Sequence, residues 1–169
     1  YELNGISFSV FGIFDSIENW VPASKINAKY KIALHHGTIT GAMTDIGHEI
    51  ETGITLEHFN GFELGLCGDV HLCQFLNRER TIAYSSSLIG QSYGESVDEH
   101  GLIVWDLETK QGTFVPIQND YGFVTFNLIS GKCIIPDNLP KNLRVRIQHD
   151  NSTPEEIEAF VREIGKSYN

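Results

Sequence analysis

Tyr30–Gly37 reads YKIALHHG, and Gly61–His71 reads GFELGLCGDVH. Each begins as a short apolar run of the kind that forms a strand buried on both faces. Each then ends on polar residues with a glycine among them: His35, His36 and Gly37 in one, Gly68, Asp69 and His71 in the other. In open α/β sheets, functional groups gather at the carboxyl ends of strands. Imidazole and carboxylate suit manganese, iron, zinc and similar divalent ions. Glycine beside them permits tight turns and close backbone approach. The pattern therefore points to a metal site, weighed against the common occurrence of histidine as a structural or surface residue.

Working outward, β-type segments dominate. Ile6–Phe14 is rich in β-branched and aromatic residues, and Ser16–Trp20 reads as a helical turn that Pro22 limits. Thr55–Asn60 reads as a short helix or loop, and Thr81–Tyr84 as a further strand. Leu102–Asp106 and Gly112–Ile117 alternate about a turn and predict a hairpin. Tyr121–Ile129 continues the strand pattern. Residues 135–142 (IIPDNLPKN from Ile134 into the next run) hold two prolines and predict a linker. Leu143–His149 alternates as a strand. A helix over Pro154–Ser167 follows, with Ser152 or Thr153 as N-cap and one apolar face of Ile157, Phe160, Val161 and Ile164.

Composition narrows the function classes. The 169 residues are 41% hydrophobic, enough for a core, and no apolar run approaches the ~20 residues that span a bilayer. The three cysteines, Cys67, Cys73 and Cys133, build no disulfide framework, which predicts a reducing, intracellular compartment. The net charge of −10 argues against tight binding of a phosphate backbone by this chain alone. It leaves room for a metal site, because bound cations themselves attract anionic substrates. The chain opens without Met inside a strand-like pattern and reads as cut from something longer.

LHHG (Leu34–Gly37), GDVH (Gly68–His71), AYSSSLIGQSYGE (Ala83–Glu95) and HGLIVWDL (His100–Leu107) occur in that order. Together they resemble the C-terminal half of a calcineurin-like metallophosphoesterase, above all the SbcD-type DNA-repair nucleases and their viral and phage relatives. The resemblance covers roughly Tyr1 to Phe126. It implies an α/β fold: the β-rich half of a metallophosphoesterase β-sandwich flanked by helices, then the start of a small α+β cap. The implied organisation is 1–134 for that half-domain, 135–142 for the linker and 143–169 for the beginning of the capping module.

The resemblance also implies roles. His35 matches a ligand of the second metal, and His71 a ligand of the first. Asp69 stands where the family has histidine, a departure that still offers a ligand to the second metal and favours a hard ion, or else a partner that orients His71 or His35. His36 is the candidate catalytic residue, either contacting substrate phosphate or supporting the metal ligands from behind. Ser85–Ser87 replace a turn motif, and Tyr84, Gln91 and Tyr93 are candidates to line a nucleic-acid cleft, with buried or rim aromatics the commoner explanation. The family's first-half motifs, which supply the bridging aspartate and an asparagine, are absent from this sequence. The implied cofactor is thus a pair of divalent ions, manganese first and magnesium, iron or zinc as alternatives, held by the complete protein. The implied activity is phosphodiester hydrolysis as a DNA exo- or endonuclease. DNA, an SMC-like ATPase subunit and a second copy of the chain are the implied partners, with no membrane. Another phosphoesterase activity, or a non-catalytic interaction module derived from the fold, are the competing readings.

Overall fold

The computed structural model describes residues 1–168. The chain divides into two compact units, one of residues 1–88 and 101–117, the other of residues 89–100 and 118–168.

The first unit is built on one sheet. Its strands are β1 (Glu2–Leu3), β2 (Ile6–Phe11), β3 (Tyr30–His36), β4 (Leu64–Gly68), β5 (Gln74–Phe75) and β6 (Ile82–Tyr84), in the order β1-β2-β3-β4-β6-β5. The central β2, β3, β4 and β6 run parallel, and the short edge strands β1 and β5 run antiparallel to their neighbours. One face packs a core of Phe11, Ala33, Cys67, Ile82 and Tyr84 against Ile39, Ala42, Phe59 and Val70. A hairpin of β7 (Gly101–Asp106) and β8 (Gln111–Pro116) forms a separate two-stranded sheet. Its turn is fixed by Asp106, whose Oδ1 accepts from the backbone N–H groups of Glu108 and Thr109 at 2.9 and 2.8 Å. Those bonds favour the ionised carboxyl and hold it below the usual carboxylate range.

The expected α/β architecture, a metallophosphoesterase sandwich flanked by helices, is not what forms. The described residues are 35% strand and 14% helix. In the first unit the helix is limited to the single 3-10 turns Ile17–Asn19, Ala23–Lys25 and Leu56–Phe59. Parallel strands here return through irregular crossovers, a solenoid-like arrangement rather than a helix-covered one. The crossover from β3 to β4 shows why. It carries Thr38, Thr40, Thr44, Thr52 and Thr55 with Gly41, Gly47 and Gly53, residues that form helix poorly. Their hydroxyls bond backbone instead: Thr40 Oγ1 donates to Thr52 O at 2.6 Å and accepts from Thr52 N–H at 2.9 Å.

The second unit pairs β9 (Tyr121–Ile129) with β10 (Asn142–Asp150) in a parallel ladder, closed by α1 (Pro154–Ser167). Alternation puts Val124, Phe126 and Leu128 on one face of β9, where Phe160 and Ile164 of α1 bury against them. Phe126 and Phe160 meet edge to face at 5.4 Å. Burial of each such side chain stabilises by about 1.5–3 kcal/mol. The division between units also differs from the expected boundary. Residues 135–142 lie inside the crossover that joins two paired strands, so β9 groups with β10.

The start of α1 carries a capping box. Thr153 Oγ1 accepts from Glu156 N–H at 3.3 Å, and Glu156 Oε2 accepts from Thr153 N–H at 2.8 Å. Thr153→Ala is expected to cost the second unit about 1 kcal/mol. Chemical denaturation followed by far-UV circular dichroism measures it, and a change below a few tenths would show that the cap is idle.

Candidate metal-ligand site

The parallel register sets Phe11, His35, Cys67 and Tyr84 side by side across β2, β3, β4 and β6. In-register residues of neighbouring strands face the same side of a sheet. The row lies at the carboxyl ends of these strands, so the segments starting at Gly12, Gly37, Asp69 and Ser85 all leave from one edge. That is where the sequence places the candidate ligands.

His35 is almost fully buried. Its Nδ1–H donates to the Phe11 carbonyl oxygen at 2.9 Å. A carbonyl only accepts, so the bond fixes the tautomer and leaves Nε2 with its lone pair in the neutral ring. Nε2 is sealed from solvent and has no hydrogen-bond partner. Aromatic rings stand around it, with Trp20 5.4 Å and Phe59 6.2 Å from the His35 ring centre. A buried acceptor left unmade costs about 1–3 kcal/mol. Metal-ligating histidines share this arrangement: one ring N–H held by a backbone carbonyl, the other nitrogen presented as a ligand.

The neighbouring Gly37 is fixed from both sides. Its N–H donates to Gly68 O at 3.1 Å, and its carbonyl accepts from the Tyr84 hydroxyl at 2.6 Å. Tyr84 is completely buried, and that burial, more than the nearby Cys67 and Asp69, pushes its hydroxyl pKa up. It therefore stays protonated and keeps donating. Of the two readings the sequence left open for Tyr84, a cleft residue or a buried or rim aromatic, the buried one holds, and its hydroxyl ties β6 to the end of β3. Burial likewise pushes the Cys67 thiol up to about 12, which leaves it an inert core side chain.

The other candidates are more open. His36 is exposed, and strand alternation sends it to the opposite face from His35, beside Gly68. The structure does not bring the two imidazoles together. Asp69 is exposed, directly follows β4 and has φ of 99°. A non-glycine residue at such φ carries about 1–3 kcal/mol of backbone strain, the kind that clusters at functional sites. His71 lies two residues further on and is half-buried. Among the described residues no three His, Cys, Asp or Glu side chains gather closely enough to hold a metal ion. His35, Asp69 and His71 share a sheet edge without closing a site among themselves.

Ser87 anchors its loop through its carbonyl, which accepts from Gly101 N–H at 3.1 Å. Tyr93 belongs to the second unit, where it packs edge-on to Phe123 at 5.1 Å. Sequence reasoning missed Trp20 as the wall of His35. A tryptophan shortly after a strand end was the available signal, but its contact with a strand 15 residues on is not local.

No helix among the described residues is long and apolar enough to cross a membrane. No protein-family model matches the chain. The chain is similar to an uncharacterized protein of Acanthamoeba polyphaga mimivirus, 35% identical over 178 residues, a match that covers 99% of this chain but only 13% of that protein.

Proposed function

We propose that this chain contributes part of a divalent-cation site for phosphodiester hydrolysis, with nucleic acid as the substrate and further ligands drawn from polypeptide outside it. His35 is the observation that supports this most: a tautomer fixed by Phe11, with a buried and unmatched Nε2 where four strands end. The donor set fits a cation of manganese, iron or zinc type. His35 would hold it, and Asp69 and His71, from the end of the adjacent strand, are the next candidates. A bound cation supplies charge to polarise a phosphoryl oxygen and acidify a water. The cysteine content favours an intracellular setting.

A nucleic-acid substrate draws support from the second unit. The β9–β10 face opposite the core carries Phe123 and Thr125 in register with Arg144 and Arg146. The Arg144 guanidinium lies 5.4 Å from the Phe123 ring centre, and that of Arg146 lies 4.8 Å from the Tyr93 ring centre. Arginines laid on aromatic rings are the mixture that follows a nucleic-acid strand. Charge reversal of both, R144E with R146E, is expected to weaken single-stranded DNA binding about tenfold or more and to flatten its salt dependence. Fluorescence anisotropy at two salt concentrations reads both; an unchanged affinity would remove this support.

The activity test uses the full-length protein with manganese, offered DNA ends, bis-p-nitrophenyl phosphate, a cyclic nucleotide and a phosphopeptide. Cleavage of DNA supports the reading. Preference for the cyclic nucleotide or the phosphopeptide would move it to another phosphoesterase. Turnover of none of them would leave the chain an interaction module.

A further inference from the structure

The sheet of β9 and β10 has two strands, so each strand keeps one outer edge. Asn142 N–H donates to Asp120 O at 2.8 Å, and Ser130 N–H donates to Asp150 O at 3.0 Å. Successive residues of a strand direct their N–H and C=O to opposite sides. The even-numbered residues of β9 therefore bond β10, and the odd-numbered ones face away. The chain returning from β9 meets the last of these. Ile129 N–H donates to Lys132 O at 2.8 Å, and Asn127 N–H donates to the Cys133 sulfur. The backbone N–H and C=O of Phe123 and Thr125 bond to nothing among the described residues. Free edges are usually guarded by charges or proline. β10 carries Arg144, Arg146, His149 and Asp150, whereas β9 reads YGFVTFNLI and has no such guard.

Beside that unguarded edge lies a groove of about 830 Å³, bounded by β9, the returning segment and α1. Phe126, Ile135 and Phe160 supply apolar wall. The only charges lining it are one cation, Lys132, and one anion, Glu163. That balance offers nothing to an anionic ligand such as a nucleic-acid strand. Unmet N–H and C=O groups at strand spacing, next to apolar walls, match a polypeptide backbone instead. We propose that the groove receives an extended peptide, which adds to the outer edge of β9 as a third strand. The peptide backbone bonds Phe123 and Thr125, and an apolar side chain of the peptide enters between Phe126, Ile135 and Phe160. In this mode of recognition the main-chain bonds give affinity, and the pocket selects alternate side chains. The partner is therefore an uncharged segment with apolar residues at every second position. The site is independent of the cation reading, and it leaves the sheet face of Arg144 and Arg146 free.

The experiment titrates the nitrogen-15-labelled 169-residue chain with a mixture of end-capped peptides. Each is about six residues long, the usual length of a strand, and alternates threonine with valine, leucine, isoleucine or phenylalanine. The amide resonances of Phe123 and Thr125 are expected to shift saturably. Two further mixtures carry N-methyl groups, one on the threonines and one on the apolar residues. Only alternate N–H groups of an added strand face β9. One methylated mixture should therefore bind about tenfold or more weakly, and the other about as well as the parent. Thr125→Pro deletes an outward N–H and no bond to β10, and is expected to lower affinity about tenfold. Glu163 is exposed on α1, so Glu163→Phe narrows the groove without touching the core and should lower affinity to a similar degree. Far-UV circular dichroism checks folding, and Glu163→Phe carries the decision if Thr125→Pro fails to fold. Resonances of Phe123 and Thr125 unmoved at millimolar peptide would overturn the proposal, as would wild-type affinity in the folded variants. Equal binding of the two methylated mixtures would make the groove an apolar cleft and overturn the strand pairing.

Discussion

Phe11→Ala is expected to destabilise the first unit by about 3–5 kcal/mol, the usual cost of deleting a fully packed phenyl ring. The ring is 2% exposed. It stacks on Trp20 at 4.4 Å with planes 4° apart, and meets Phe59 and Phe62 edge-on at 5.7 and 5.4 Å. Each aromatic pair adds about 0.5–1.5 kcal/mol beyond area burial. A domain's whole stability is about 5–15 kcal/mol, so this one change removes a large share of it. The neighbouring residue provides the control. Val10 points to the other face of β2 and is 55% exposed, so Val10→Ala should cost about 0.5 kcal/mol or less. Urea denaturation followed by near-UV circular dichroism measures both. Similar losses for the two would mean that the sheet is not packed on the side described.

The second expectation separates stability from binding. His35→Leu removes the unmatched Nε2, a gain, and strips the Phe11 carbonyl of its Nδ1–H partner, a loss. Each amounts to about 1–3 kcal/mol, so the two nearly cancel. Without metal, the variant and the wild type should unfold within about 1 kcal/mol of each other. With Mn²⁺ at a hundredfold excess over its dissociation constant, the wild type gains about 2.7 kcal/mol and the variant gains nothing. Thermal denaturation with and without Mn²⁺ reads the difference. Equal stabilisation of both chains would place any bound ion away from His35.

These expectations draw on features of unequal visibility in the sequence. Alternation along Tyr121–Ile129 and Leu143–His149, and the capped helix from Pro154, are local signals, and the corresponding elements form where the pattern puts them. The strand-end positions of His35 and Asp69 were legible for the same reason. Pairing was not. The parallel match of β9 with β10 joins residues about 20 apart, and it turns an apparent proline linker into a crossover. The two-residue edge strands β1 and β5 are too short to leave any periodicity. The helix-flanked architecture came from resemblance, and the threonines and glycines between His36 and Leu64 already weighed against it. At the candidate site, residue types were readable but contacts were not. The Tyr84 hydroxyl reaches Gly37 across 47 positions. That contact settles Tyr84 as a buried aromatic, the commoner of the two readings the sequence left open.

The most direct test of the account asks whether a cation goes to His35. Mn²⁺ broadens proton resonances steeply with proximity, and the Trp20 ring centre lies 5.4 Å from that of His35. Substoichiometric Mn²⁺ should erase the Trp20 indole N–H signal from the proton spectrum of the 169-residue chain, and His35→Leu should restore it. A Trp20 signal that persists in the wild type, or fades equally in the variant, would contradict His35 as the ligand and remove the basis of the phosphodiesterase reading.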